Sequence, residues 1–408
     1  MASRNSQIAL TASLASFLTS LDASAVTATL PVICAAFHAS IPAGQWVLLA
    51  ELAATSGLLL ALGKFADRCG HKRVHVAGYA LFVVGCACCT LAPGLAALIA
   101  FRIVQGIGSA MLLATSPALV VQHISAERRG RGLGLRSAFL YLGLVAGPAL
   151  AGWLAGHYGW RAVFLAELPF GLVAWVLTLL FVPGRLPPAL AQREAFFRAS
   201  DSALPIAALI LSFASAYLLT FRLSFYLMQA RHLRPALAGL VLAGYGLARV
   251  CTAPVSGHLS DGIGTKLPAT LGAALLALGS LLLSCITPNA PLEGLFAALL
   301  LAGAGIGIFV PPNNSAILSA VPRSRYGLAS GIIAMSRTAG MAIGVALAAL
   351  VPSGQAGFAL AASVAFATAV VCATSKNTVS RRARVLVLGG REFVNRARQS
   401  FVGGQGFT

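Results

Sequence analysis

Gly63-Lys-Phe-Ala-Asp67-Arg68-Cys-Gly70-His-Lys72 returns 194 residues later as Gly257-His-Leu-Ser-Asp261-Gly-Ile-Gly264-Thr-Lys266, with two glycines, an aspartate and a lysine at identical spacing. At the same offset Pro117, Arg129 and Arg131 match Pro311, Arg323 and Arg325. Internal self-similarity at a fixed period marks a duplicated architecture. What lies around each copy is a series of long apolar runs. The first half carries Ile8–Leu30, Val47–Phe65, Val76–Leu91, Leu95–Val121, Leu133–Leu154 and Ala162–Val182. A polar, proline-containing connection follows, and then Leu204–Met228, Ala236–Leu259, Leu267–Ile286, Gly294–Pro312, Leu328–Leu350 and Gly354–Cys372. The expected organisation is a six-helix bundle over 1–182, a cytoplasmic linker over 183–202, a second bundle over 203–375 and a basic cytoplasmic tail over 376–408.

Composition fits that reading. Of 408 residues, 58% are hydrophobic and 10% are charged, against roughly 25% charged in soluble domains. Mean hydropathy is +0.86, and each crossing needs about 20 apolar residues. Strand barrels would alternate apolar and polar residues in segments of about ten; these runs are continuous. The fold class is therefore an all-α membrane protein with twelve transmembrane helices in two pseudo-symmetric bundles. Ile8–Leu30 reads as a first spanning helix, because no small-residue cleavage site precedes Asp22.

The net charge of +19 would suggest nucleic acid in a soluble protein, but the charges lie between apolar runs and in the tail. Of the 29 basic residues, four fall inside helices (Arg102, Arg222, Arg249, Arg337) and three outside the membrane (Arg161, Arg231, Arg234). The rest mark cytoplasmic loops and put both termini inside. Anionic lipid headgroups would attract Arg128, Arg129, Arg131, Arg381, Arg382 and Arg384, and no nucleic acid is implied. The tail reads equally as an interfacial helix or a solvated chain. The eight cysteines form no disulfide framework, and no His spacing suggests a metal site. Cys86-x-Cys88-Cys89 has no His or acid in its run and reads as small-residue packing.

The loop Gly63-Lys-Phe-Ala-Asp67-Arg68-Cys-Gly70-His-Lys72-Arg73 resembles the signature loop of the major facilitator superfamily, and the resemblance covers nearly all of Leu21 to Val371. It implies that Asp67 seats against the amino-terminal end of helix eleven, near Gly327 to Ser330, where the helix dipole favours a carboxylate. Gly63, Asp67, Arg68, Gly70, Arg73 and, in the second copy, Asp261 are then gating residues. Arg102-x2-Gln105-Gly106-x-Gly108 resembles the family's arginine motif. Leu21-Asp22-x4-Thr27-x-Thr29-Leu30-Pro31 resembles the first-helix motif of its drug:proton antiporters. An arginine deep in an apolar run needs a partner or a wet cavity, and Asp22 is the candidate; a purely structural ion pair is the plainer alternative. A carboxyl that gains or loses an arginine neighbour changes its proton affinity, which is how it would couple protons to transport.

Gly134-x8-Gly143-x3-Gly147-Pro148-x2-Ala151-Gly152 resembles the antiporter motif of the same superfamily, with Ala151 in place of a usual glycine. That resemblance points to export. Gln45-Trp46, Trp160-Arg161-x2-Phe164, Tyr226-Leu-Met-Gln229 and Pro311-Pro312-Asn313-Asn314-Ser315 extend the likeness. They make Gln45, Gln105, Tyr226, Gln229, Asn313 and Asn314 solute-binding candidates. Arg323-x3-Gly327-x2-Ser330-Gly331 and Ser336-Arg337-x2-Gly340 continue it. The branch most resembled usually carries fourteen helices, whereas one short connection separates runs six and seven here.

Glu51 and Glu167 depart from the pattern, standing where the resembling proteins commonly have tyrosine and asparagine. With Asp22 they are three acidic candidates for proton coupling, and Glu51 also for a cationic or zwitterionic solute. The bland readings are a structural arginine partner for Glu51 and a paired group near the outer surface for Glu167. The interior arginines of the second half either face an anionic solute group or pair with those acids. No H-E-x-x-H, G-x-S-x-G or phosphate-loop signature is present, so neither an enzyme nor an ATP-driven pump is expected. The expected function is a proton-coupled antiporter exporting a small organic solute, acting as a monomer in a bacterial-type inner membrane, with the proton as coupling ion and no other cofactor. A nutrient importer on the same fold is the alternative, and a receptor or intramembrane enzyme is a more distant one.

Overall fold

Within lipid an apolar run must satisfy its own backbone, and for a single run the helix does so. A computed structural model describes residues 2–124, 129–183, 199–287, 289–321, 326–351 and 354–375, and all regular structure among them is helical. Twelve of the described helices are long and apolar enough to span a membrane. In the first half these are α1 (Ala2–Ala36), α2 (Trp46–Cys69), α3 (His71–Thr90), α4 (Leu95–His123), α5 (Arg129–Tyr158) and α6 (Arg161–Phe181). In the second they are α7 (Ala199–Phe225), α8 (Pro235–Ile263), α9 (Lys266–Cys285), α10 (Leu292–Ser319), α11 (Tyr326–Ala349) and α12 (Gly354–Thr374). A turn of helix at Ile41–Gly44, capped by Ser40, leads into α2. A π turn, Tyr226–Ala230, closes α7.

The helices outrun the apolar stretches. α2 continues past Phe65 to Cys69, α3 begins at His71 rather than Val76, and α10 runs past Pro312 to Ser319. Polar residues at the membrane boundary remain helical, so hydropathy marks the spans better than their ends. Most of the linker (184–198) and the tail from 376 lie outside the described residues, as do Arg128, Arg323, Arg325 and the side chains of Arg129, Asp261 and Gly327.

The duplication is visible in packing. In the first half α3 packs on α4, α2 on α4, α1 on α5 and α3 on α6; in the second α9 packs on α10, α8 on α10, α7 on α11 and α9 on α12. Each pair maps onto its counterpart by a step of six helices. Both copies of the repeated loop turn on a glycine that only a residue without Cβ adopts readily: Gly70 at φ +96° and Gly264 at φ +89°.

Two seams join the halves, α5 against α8 and α2 against α11. Glycines in α5 divide between an internal contact and a seam. A Cβ at Gly143 would lie 2.5 Å from the Phe17 carbonyl oxygen of α1, whereas one at Gly152 would lie 2.5 Å from the Pro235 carbonyl oxygen of α8. Val173, Leu180, Leu281 and Phe366 are exposed on the outside, while Asp22 and Arg102 are fully buried. An apolar exterior around a polar interior suits lipid as solvent.

Candidate functional site

Asp22 lies near the middle of α1, Glu51 in α2, Arg102 and Gln105 one turn apart in α4, and Glu167 in α6, all buried. Packing of α1 and α2 on α4, and of α6 on α1 and α3, brings these residues together. Arg102 Nη1 donates to Asp22 Oδ1 at 2.7 Å and to Gln105 Oε1 at 2.6 Å, and Nε donates to the Val47 carbonyl at 3.1 Å. Arg102 Nη2 stands 3.5 Å from Glu51 Oε2. The guanidinium also lies 5.8 Å from the Phe164 ring centroid.

Gln105 passes the connection onward. Its Nε2 donates to Asp22 Oδ1 at 3.0 Å, approaches Cys86 Sγ at 3.1 Å, and reaches Glu167 Oε2 at 3.5 Å. Cys86 Sγ in turn contacts Glu167 Oε2 at 3.4 Å. Thr55 donates to Glu51 Oε1 at 3.1 Å. Asp22 Oδ2, Glu51 Oε2 and Glu167 Oε1 are each buried without a hydrogen-bond partner. Three carboxyls share one guanidinium. If all three ionised, the cluster would carry two uncompensated negative charges in a dry site, and two bound protons would make it neutral.

The cluster touches a central cavity. Glu51, Thr55 and Ser109 line it from the first half, and Arg337, Thr338 and Met341 of α11 from the second. Only about 20 Å³ is open to the centre of a water-sized sphere, enough for a water molecule. An organic solute would require the halves to part. Asp22 and Arg102 sit behind this cavity rather than on it. Glu167 faces a separate small cavity between α1, α5 and α6, lined also by Leu21, Gly147 and Phe170.

The other candidates disperse. Gln45 is buried at the head of α2 with its Oε1 unpaired. Tyr226 packs edge-on against Phe358 at 5.7 Å, while Gln229 is exposed. Asn313 gives its amide to the Pro205 carbonyl at 2.9 Å, and Asn314 is its neighbour on α10. Of the solute-binding candidates, Glu51 alone lines the central cavity, and Gln105 lies in the buried polar cluster.

Gly63 faces Ala114 of α4, Arg68 and Arg73 are exposed, and Gly147 and Pro148 pack against α1 and α8 respectively. Asp67 Oδ1 lies 3.3 Å from His71 Nε2 across the Gly70 turn, with most of the carboxylate exposed. Cys86, taken above as packing, belongs to the acidic cluster. Arg136, counted above with the loops, is partly buried in α5 with an unpaired Nε. Cys86 carries no local signal, since helix rotation decides where its side chain points, whereas Arg136 stands inside the apolar run Leu133–Leu154. Among the described residues no group of three His, Cys, Asp or Glu is placed to hold a metal.

The sequence profile of the Major Facilitator Superfamily matches residues 12–226 and 204–386. The chain belongs to this family of membrane carriers. Similar proteins include the riboflavin transporter RibZ of Clostridioides difficile, 28% identical over 81% of this chain and 84% of the relative. The multidrug resistance protein Stp of Mycobacterium tuberculosis is 28% identical over 81% and 73% respectively. The methylenomycin A resistance protein of Streptomyces coelicolor is 27% identical over 74% and 76%. The protein is thus a multi-pass membrane transporter similar to drug-efflux members of its family.

Proposed function

We propose that this transporter is a proton-driven antiporter that exports a small organic solute by alternating access, as a monomer in a bacterial-type inner membrane with both termini in the cytoplasm. The observation that carries this reading is the three-carboxyl, one-guanidinium cluster, with Glu51 at its edge on the cavity between the halves. A proton on Glu51 or Asp22 weakens its hold on Arg102. The freed guanidinium then pairs with the remaining carboxylate, and the tie between α1, α2 and α4 loosens. Solute arriving in the opened cavity competes for the same groups, so occupancy by proton and by solute alternate. The likeness to named resistance and efflux proteins supports the outward direction.

Driving force is adequate. One pH unit contributes about 1.4 kcal/mol per proton, and 100 mV contributes about 2.3 kcal/mol per charge. The test is a pH-sensitive dye in proteoliposomes holding an imposed proton gradient, titrated with a panel of drugs and metabolites and repeated with Asp22→Asn. Solute-dependent collapse of the gradient with the wild type, absent from a folded Asp22→Asn, is expected. Uphill solute movement by that variant would remove Asp22 from the coupling role. Proton-driven uptake would reverse the direction.

A further inference from the structure

Arg249, in the middle of α8, is 4% exposed and its Nε has no hydrogen-bond partner. Its guanidinium lies between two rings, Tyr141 of α5 at 5.3 Å and Phe213 of α7 at 5.0 Å. One ring belongs to each half of the transporter. Arg337 of α11 lines the central cavity with Leu140 and Leu144, which bracket Tyr141 on α5, and Gly340, three residues further along α11, packs against Phe213; Arg136 lies one turn before Leu140 on α5. Arg337 and Arg136 also have an unpaired Nε. Tyr245, one turn before Arg249 on α8, is buried and its hydroxyl has no partner among the described residues.

Arg222 makes the contrast. Its Nε is unpaired too, but it gives Nη2 to the Ala348 carbonyl and lies along Gly357, so it serves α7–α11–α12 packing. Among the described residues Asp22 and Glu51 both pair with Arg102, and Asp67 contacts His71. Arg249, Arg337, Arg136 and the Tyr245 phenol thus bring hydrogen-bond donors to the seam between the halves without an acceptor among the described residues. Burying such charge is costly unless something pairs with it. A Cβ at Gly307 of α10 would lie 2.5 Å from the Arg249 carbonyl oxygen, so α8 and α10 meet backbone to backbone at this residue.

The geometry points to an anion-binding subsite formed by Arg249 and Arg337, with Arg136 behind them, that takes the carboxylate or other oxyanion of an aromatic or planar solute. A fork of guanidinium donors matches an oxyanion, and the flanking rings match a flat apolar body. This rests on the transporter reading above and names its solute class: Asp22 and Glu51 pair with Arg102, while Arg249 and Arg337 have no carboxylate partner among the described residues. A lipophilic cation is therefore not the favoured cargo.

The probe is 2-naphthoate, compared with 2-naphthamide and 2-naphthylmethylammonium. Saturable thermal stabilisation of the full chain in detergent reports binding, because a ligand of the folded state raises its stability with concentration. Naphthoate is expected to bind at least tenfold more tightly than the amide or the ammonium compound. Arg249→Gln and, independently, Arg337→Gln are expected to remove that preference, and Arg249→Lys to retain part of it. The inference is overturned if the ammonium compound binds as well as naphthoate, or if neither glutamine variant alters the preference. It also falls if naphthoate and its sulfonate and phosphonate analogues all fail to bind. The measurement is at equilibrium and needs no proton gradient. Naphthoate binding without solute-linked proton movement would sink antiport and leave the subsite standing.

Discussion

Gly152→Ala tests whether the α5–α8 seam sets the balance between transport states. The added Cβ would sit 2.5 Å from the Pro235 carbonyl oxygen and 3.0 Å from Gly239 Cα, where ordinary contact begins at 3.4 Å. The clash is with backbone on both sides, so neither helix relieves it by a rotamer change. Overpacking of this kind costs about 1–3 kcal/mol. Because α5 and α8 belong to different halves, that cost falls on states in which the seam is closed. A state with the seam parted escapes it, so the equilibrium moves roughly 5- to 150-fold toward the parted state. Spin labels at Tyr158→Cys and Leu237→Cys, both exposed at this end of the seam, report the change as a distance distribution. The exposed native Cys251 and Cys285 would first be replaced by serine. Gly143→Ala is the control: its Cβ would meet the Phe17 carbonyl of α1 at 2.5 Å, inside one half. It should lower thermal stability without lengthening the labelled distance. An unchanged distribution in Gly152→Ala, or the same shift in Gly143→Ala, would refute the assignment of Gly152 to gating.

Arg102→Met leaves Asp22 and Glu51 buried without their cation and should destabilise the fold by about 3–5 kcal/mol, read as a lower melting temperature in detergent. Arg102→Lys should recover only part of this, because an ammonium cannot reach Asp22, Gln105 and Val47 together as the guanidinium does. Gly70→Ala places a Cβ at φ +96° and should cost about 1–3 kcal/mol by the same melt. Gly264→Ala should match it if the two loops are equivalent. Asn313→Ala removes one buried hydrogen bond to Pro205, a loss of about 1 kcal/mol, and should leave the ranking of transported solutes unchanged.

The acidic cluster was partly legible in the sequence. An arginine and an aspartate deep in apolar runs demand partners, and each was the other's candidate. Glu51 and Glu167 stood out for the same reason, but nothing local said that Gln105 and Cys86 would bridge Glu167 to Asp22. Tyr226, Gln229, Asn313 and Asn314 were singled out by resemblance, which carries no information about which way each faces in this chain. The structure puts them on an aromatic contact, an outer surface and a helix–helix hydrogen bond rather than on the central cavity. Arg136 stands inside the marked run Leu133–Leu154 but close to its cytoplasmic end, where an arginine reads equally as a boundary residue.

The sequence alone determined the twelve spans, their duplication and the family, because lipid forces each span to satisfy its own backbone and a repeated loop repeats its spacing. Tertiary structure decided which side chains meet. Small-residue contacts such as Gly143 on α1 and Gly152 on α8 set the approach and rotation of whole helices. Those rotations place Asp22 and Glu51 on one guanidinium, join Glu167 to them through Gln105, and set Arg249 and Arg337 at the seam between the halves. Such rotations arise from contacts between residues far apart in the chain, and a run of apolar residues has no local pattern that encodes them.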